Sequence, residues 1–444
     1  MVTPFASITE ALGWLDAHID YERVAPTRRL LPTLDGVASA LALLGHPEEQ
    51  YPAIHVTGTN GKGSTTAMIT ALLSELGLSV GTYTSPNLHL VNERIAWNAA
   101  AIPDDDLCDV LVRLALIEPQ LSEPLTRFEL LTLAALLYFA DCAVDVAVIE
   151  VGLGGTWDST NVVHGTVSVI TNVSLDHTQV LGDTVEEIAR DKAGIVKAGC
   201  IAILGDANER VAAIVQDRCD EVGAAGLWRA GEEFQCENNR LAFGGRVVDL
   251  SVPGEIVVDV MVPLHGAHQG DNAAVALAAV TAFLGRPLER DIVEHGMAAV
   301  KVLGRMEVLG HMPLVIVDGA HNAAGAVALS EALREGFDVN GPAIAVIGML
   351  QGRNPEDLLA PLVDAGITTF VCVEPVTPRA MRASEIVSAA RGLGATAQQA
   401  PSIALGVERA MLLAEGNGLV LATGSLYVVG DARLRLLELI AERD

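Results

Sequence analysis

Residues 53 to 66 read Ala-Ile-His-Val-Thr-Gly-Thr-Asn-Gly-Lys-Gly-Ser-Thr-Thr, and no other stretch of the chain carries so direct a chemical signal. A β-branched run ends at Thr57, a glycine-rich turn carries Lys62, and Ser64, Thr65 and Thr66 open a helix. A strand, a loop and a helix N-terminus in that order aim backbone N–H groups and a helix dipole at a polyanion, and the lysine adds a full positive charge. The loop is shorter than the generic phosphate-binding pattern: Val56 stands where the first glycine would be, and Gly63 rather than a hydroxyl follows Lys62. A turn that needs glycine for backbone reasons alone is the weaker reading, because a lysine in a tight loop is costly without an anion to meet.

Further candidates follow other apolar runs, where an open α/β sheet binds its ligands. Ser85 stands in Thr84-Ser-Pro-Asn87 and Glu150 near the end of Val146–Val151, just before the glycine-rich Gly152-Leu-Gly-Gly-Thr-Trp-Asp-Ser-Thr-Asn161. His177 lies in Leu175-Asp-His-Thr178. A carboxylate, a hydroxyl and an imidazole at neighbouring strand ends could hold a divalent cation beside phosphates. Taken singly, Glu150 reads as well as a buried acid paired with an arginine, and His177 as a helix-capping or core histidine. Lys192, in Asp191-Lys-Ala-Gly-Ile-Val196, would ordinarily be a surface helix residue, but the small Ala-Gly after it permits close approach. Lysine is also scarce: Lys62, Lys192, Lys197 and Lys301 are the whole set.

The elements that must position these groups alternate apolar strand-like runs with helical patterns, which predicts an α/β fold with parallel sheets. Strands are expected at 53–57, 79–84, 144–151, 167–171 and 201–204, with helices such as 65–76 and 129–139 between them. Residues 219–262 read as a small antiparallel β patch, 265–284 as a helix, and a second α/β series follows with strands at 314–317, 343–347, 369–373 and 418–422. A length of 444 residues calls for more than one core. We place domains at 1–299 and 300–444. A net charge of -28 argues against sequence-independent nucleic-acid binding, so an anionic ligand must be held by local positive groups. The six scattered cysteines suit a reducing cytoplasm. No signal peptide is evident, and Asp141 and Asp145 interrupt the longest apolar stretch, so neither export nor a membrane partner is expected.

The loop Thr57-Gly-Thr-Asn-Gly-Lys-Gly-Ser64 resembles that of the folylpolyglutamate synthases and dihydrofolate synthases of the Mur ligase superfamily. Tyr83-Thr-Ser-Pro86 with Glu93-Arg94, Glu150-Val-Gly-Leu-Gly-Gly155 with Trp157-Asp158 and Thr160-Asn161, Leu175-Asp-His177 and Asp191-Lys-Ala-Gly-Ile195 agree in order. So do Gly304-Arg305, Asp318-Gly-Ala-His-Asn322, Ile347-Gly-Met349 and Thr423-Gly-Ser425. The match runs from about residue 30 to the C-terminus. It implies a P-loop ATPase domain with the β patch and a C-terminal Rossmann-like domain, closing to exclude water from a reactive intermediate. It also implies ATP-dependent addition of L-glutamate to dihydropteroate or to reduced folates, through an acyl phosphate, by a monomer.

By the same resemblance Thr59, Asn60, Gly61, Lys62, Gly63 and Ser64 meet the ATP phosphates. Asn272, Arg305 and Asp318 meet the rest of the nucleotide, and His321 lies near the phosphates and the incoming amino acid. Ser85, Glu150 and His177 hold Mg²⁺, and a carbamylated Lys192 helps to hold a second ion. Thr126, Arg127, Phe128, Glu129 and Trp157 surround the pterin, with Phe128 as its stacking partner and residues 31–33 as further contributors. The chain departs from the family at Asn87, where histidine is usual after Ser-Pro, at Thr156 in place of arginine, at Ala323 in place of proline, and at Leu31-Pro-Thr33. These departures bear on the acceptor more than on the metal and phosphate set. A Mur-type ligase for another carboxylate and a non-catalytic ATP-binding relative are therefore the alternatives.

Overall fold

The first apolar series forms a mostly parallel sheet. In the computed structural model, which describes residues 4–22 and 33–442, its strands are β1 (Ala53–Thr57), β2 (Val80–Tyr83), β3 (Ile95–Trp97), β4 (Ala100–Ala101), β5 (Val146–Glu150), β6 (Gly165–Ile170), β7 (Ile201–Leu204) and β8 (Gly226–Arg229). They lie in the order β4-β3-β2-β5-β1-β6-β7-β8. The strands from β2 to β8 run parallel, and β3 and β4 form an antiparallel edge. β1, β2 and β5 are buried along their whole length, which is why they read as continuous apolar runs rather than alternating ones.

Helices cover this sheet because their apolar faces need it. Helix Arg127–Asp141 is apolar nearly all round and buried along most of its length, as a helix packed on more than one side must be. Its Phe139 lies flat on Gly81 of β2, where a Cβ would come within 2.6 Å of the ring. The long apolar stretch thus resolves into this helix and β5. Among the described residues no helix is long and apolar enough to cross a membrane.

The expected patch over 219–262 is narrower than the sequence reading. Cys219 belongs to helix Glu209–Val222, and β8 joins the parallel sheet beside β7. Only β9 (Gln235–Ala242), β10 (Gly245–Val252) and β11 (Glu255–Val262) form the three-stranded sheet, in sequential order. Two-residue turns at Phe243-Gly244 and Pro253-Gly254 join them, and such turns link antiparallel strands.

The second series gives β12 (Glu307–His311), β13 (Leu314–Val317), β14 (Ala343–Ile347), β15 (Thr369–Cys372), β16 (Thr396–Gln399) and β17 (Leu419–Thr423), ordered β12-β13-β17-β14-β15-β16. β12 is antiparallel and the others parallel. The chain divides into two compact units. One is Met1–Asn238 with Val248–Val262 and Gly270–Val300; the other is Asn239–Val247 with Pro263–Gln269 and Lys301–Asp444.

Candidate active site

β1 lies between β5 and β6, so three parallel strand ends surround the loop after Thr57. Gly61, with φ 82°, caps helix Lys62–Glu75. Space also demands glycine here: a Cβ on Gly58 would fall 1.8 Å from Thr171 Oγ1, and one on Gly61 2.4 Å from Asn272 Oδ1. The residues after β6 build the loop's outer wall. Thr59 N donates to the Asn172 carbonyl at 2.9 Å and Asn60 N to Asn172 Oδ1 at 3.0 Å. Asn172 Nδ2 and Thr171 Oγ1 both donate to the Asn60 carbonyl, at 3.0 and 2.6 Å. The loop is therefore held in shape by protein groups, the condition for preorganised electrostatics.

Two lysines converge on this loop. Lys62 Nζ donates to the carbonyls of Gly58 and Thr59 at 3.1 and 3.4 Å, and Lys192 Nζ donates to the same Gly58 carbonyl at 2.7 Å. Lys192 sits in the last turn of helix Val185–Ala193 and is 3% exposed, so the surface-lysine alternative does not hold. Burial and then the nearby Lys62 charge lower its pKa to about 7, so the neutral amine is accessible near neutral pH.

Glu150, the last residue of β5, is buried beside the same loop. Its Oε2 accepts from Ser85 N at 3.2 Å, and a Cβ on Gly63 would lie 3.7 Å from that oxygen. His177 comes three residues after Ser174, whose N donates to Thr59 Oγ1 at 3.0 Å. It occupies the left-handed region at φ 50° before the short helix Thr178–Leu181, and its side chain is 32% exposed. Phosphate loop, Ser85, Glu150, Lys192 and Asn272 are thus gathered at one set of strand ends, and His177 follows the segment that walls the loop.

The residues expected to surround the pterin divide differently. Thr126 and Glu129 form a capping box on helix Arg127–Asp141, with Thr126 N to Glu129 Oε2 at 2.6 Å and Glu129 N to Thr126 Oγ1 at 3.2 Å. Arg127 Nε donates to Asp16 Oδ1 at 2.9 Å. Phe128 stays half-buried, 6.1 Å from the Tyr83 ring centroid and over Gly152, where a Cβ would come 2.5 Å from its Cζ. Trp157 is half-buried against another apolar cluster, with Ile170 and Leu204, while Phe128 packs with Tyr83 and Ile149. Leu31 and Pro32 lie outside the described residues; Thr33 Oγ1 donates to Asp35 Oδ2 at 3.2 Å. Asn87 Oδ1 accepts from Arg94 Nε at 2.7 Å, and the buried Arg94 grips Glu22 through both Nη atoms at 2.8 and 2.6 Å.

In the second unit, adjacent strands β13, β17 and β14 end next to Asp318, Gly424 and Gly348. Asp318 accepts from Met306 N and Ala320 N, each at 2.8 Å. A Cβ on Gly319 would meet Arg305 Nη1 at 2.7 Å, so Arg305 lies against this turn. His321 Nδ1 donates to the Gly319 carbonyl at 2.7 Å. Asn322 caps helix Ala323–Gly336 through Gly325 N at 2.8 Å; Ala323 takes the first helical position, which tolerates proline but does not need it.

Sequence reasoning missed Thr171 and Asn172, which wall the loop. It also missed the buried chain His55–Thr160–Asp158, in which His55 Nε2 meets Thr160 Oγ1 at 2.9 Å and Thr160 Oγ1 donates to Asp158 Oδ1 at 2.5 Å. The available signal was polar residues set directly against apolar strands.

The Mur ligase middle domain matches residues 56–280, and the Mur ligase, glutamate ligase domain matches residues 304–426. Over 386 residues the chain is 36% identical to a dihydrofolate synthase/folylpolyglutamate synthase of Mycobacterium tuberculosis, covering 82% of this chain and 79% of that one. The chain belongs to the dihydrofolate synthase/folylpolyglutamate synthase family of Mur ligases. It is similar to E. coli FolC in complex with DHPP and ADP, with TM-score 0.85, 30% identity and 100% of each chain covered. A bifunctional folylpolyglutamate synthase/dihydrofolate synthase with Mn, AMPPNP and L-glutamate bound is similar too, with TM-score 0.84, 27% identity and 98% and 99% covered. As a member of this family the chain is an ATP-dependent ligase that joins an acid to an amino acid.

Proposed function

We propose that the enzyme adds L-glutamate to dihydropteroate, to the glutamyl tail of reduced folates, or to both. The observation that carries this is the single phosphate-loop cluster in which Lys62 and Lys192 share the Gly58 carbonyl while Glu150 stands beside Ser85 and Gly63. An acceptor carboxylate oxygen attacks the γ-phosphorus of ATP, ADP leaves, and an acyl phosphate forms. The neutral glutamate amine then attacks the acyl carbon, phosphate departs with the C–O bond electrons, the nitrogen gives up a proton, and the amide remains. Thr59 to Ser64 bind the phosphates, and Lys62 neutralises charge that develops on the transferring group.

Glu150, the Ser85 hydroxyl and His177 are a donor set suited to Mg²⁺, which supplies charge neutralisation at the phosphates when bound. A second ion would be held by Lys192 as its carbamate, formed when the neutral amine adds to CO₂ and loses a proton. Native mass spectrometry in bicarbonate would find one added CO₂ that Lys192→Arg abolishes; no such adduct in the wild type removes this part. Asn272, Arg305 and Asp318 are assigned to the nucleotide and His321 to the phosphates and glutamate. Thr126, Arg127, Phe128, Glu129 and Trp157 are assigned to the pterin, with Phe128 the stacking surface. Residues 1–299 would handle ATP and acceptor and 300–444 glutamate ligation, in a monomeric cytoplasmic enzyme without nucleic-acid or membrane partners.

Phosphate release with ATP, Mg²⁺ and L-glutamate, comparing dihydropteroate with tetrahydrofolate, tests the assignment. Release with both acceptors means a bifunctional enzyme, and with one fixes its step. Silence with both, in protein that binds ATP, overturns the acceptor. The exposed Thr156, where the family carries arginine, favours a second reading as a Mur-type ligase for another carboxylate, to be screened with nucleotide-sugar acceptors.

A further inference from the structure

Three segments at the centre of the first unit hydrogen-bond one another in a closed ring. Thr57, the last residue of β1, donates from Oγ1 to the Gly154 carbonyl at 2.6 Å. Two residues along, Thr156 donates from N and Oγ1 to the Asp191 carbonyl at 3.0 and 2.9 Å. Lys192, next to Asp191, returns to Gly58 at 2.7 Å, and Gly58 adjoins Thr57. Asn161 braces one side, with Nδ2 donating to the carbonyls of Thr156 and Gly194 at 3.0 and 3.3 Å.

The ring has no slack. A Cβ on Gly155 would fall 2.6 Å from the Asp191 carbonyl oxygen and 2.9 Å from Lys192 Cα, and one on Gly194 would fall 2.0 Å from Thr156 Oγ1. Each segment carries a different part of the proposed chemistry: phosphates after Thr57, the loop leading from Glu150 towards the acceptor residues, and the amine of Lys192. Well-packed contacts of this kind transmit displacement rather than absorb it.

The geometry points to Thr57 and Thr156 as positioning residues whose hydroxyls make the phosphate loop, the glycine loop and the lysine turn move as one body. Occupation of the phosphate loop by nucleotide is thereby transmitted to the glycine loop before the acceptor arrives. This rests on the ligase reading above for its consequence in turnover, though not for the coupling itself. Thr57→Val keeps the shape of a fully buried side chain and removes the hydroxyl donor to the Gly154 carbonyl; Thr156→Val, at an exposed position, removes one of three donors to the Asp191 carbonyl, because Thr156 N and Gly194 N donate there as well, at 3.0 and 3.1 Å.

The test joins hydrogen–deuterium exchange of the Gly152–Asp158 amides, with and without AMPPNP, to steady-state kinetics of Thr57→Val, Thr156→Val, the double variant and the two Thr→Ser controls. In the wild type, nucleotide should protect these amides; Thr57→Val should abolish that protection, and Thr156→Val should weaken it. Thr57→Val should lose about five- to tenfold in kcat, the worth of one hydrogen bond, and Thr156→Val less, with KM for ATP little changed in both. The double should be no worse than Thr57→Val alone, because opening that side already undoes the ring, and Ser should restore both readouts. Absent nucleotide protection in the wild type, retained protection in Thr57→Val, or additive losses in kcat would each overturn the proposal. Nucleotide-dependent protection in a wild type that is silent with every folate acceptor would instead defeat the acceptor assignment and leave the ring standing.

Discussion

The Gly58 carbonyl accepts from two ammonium groups, and this sharing makes Lys62 more than a phosphate ligand. After burial, which is the larger cause, its charge helps to hold Lys192 down near 7. Lys62→Ala should lower kcat by at least about a hundredfold through lost charge stabilisation, and Glu150→Ala should do likewise; near-normal turnover in either would end the role given to it. His55 gives a second prediction, in stability. Thr160 spends its hydroxyl proton on Asp158, so His55 Nε2–H must donate to Thr160. Burial first, and the Lys197 charge second, push His55 from 6.5 to about 3. With the folded pKa depressed, the neutral ring contributes stability that is complete above the unfolded value and lost as pH falls from 6.5 towards 3. Urea melts across that range should show a steeper acid loss for the wild type than for His55→Asn, which keeps a donor and does not titrate. Parallel curves would remove His55 from the acid response.

At the scale of elements, what could be read in the sequence was what is local. β1, β7, β13 and β14 fall where the apolar runs predict them, and Glu150 closes β5. The phosphate loop announces itself because its glycines, lysine and flanking strand are contiguous. β8 and β16 were misread or missed because each is a short edge strand; β16 buries only Ala397, and both take their place from one neighbour's hydrogen bonds. The Thr171-Asn172 wall was invisible for a related reason: it exists only once β6 lies beside β1. Strand order likewise sends Phe128 and Trp157 to different clusters although both belong to motifs expected near one ligand. The capping box shows local and tertiary roles overlapping. Thr126→Ala should cost about 1 kcal/mol of stability, read as a lower urea midpoint, with Ser largely restoring it. An unchanged midpoint would mean that tertiary packing alone fixes the start of that helix.

The whole molecule carries a net charge of -28, while its proposed substrates are anions. Local lysines and helix N-termini must therefore work against a repulsive long-range field. Added salt screens that field over distances beyond roughly 10 Å but leaves the buried contacts largely intact. From low to physiological ionic strength, kcat/KM for ATP should thus rise, by about two- to threefold. A steep fall, of the kind seen when phosphates are bound by an open basic surface, would contradict this picture of the charge distribution.

The shortage of lysine has a practical side. Lys192 is buried, Lys62 and Lys197 are half-buried and engaged with backbone carbonyls, and Lys301 is exposed at the start of the last segment of the second unit. Among the lysines, an amine-directed fluorophore should therefore favour Lys301, with the α-amino group as the competing site. The native protein thus comes with one favoured lysine for labelling, without any cysteine having to be introduced or removed.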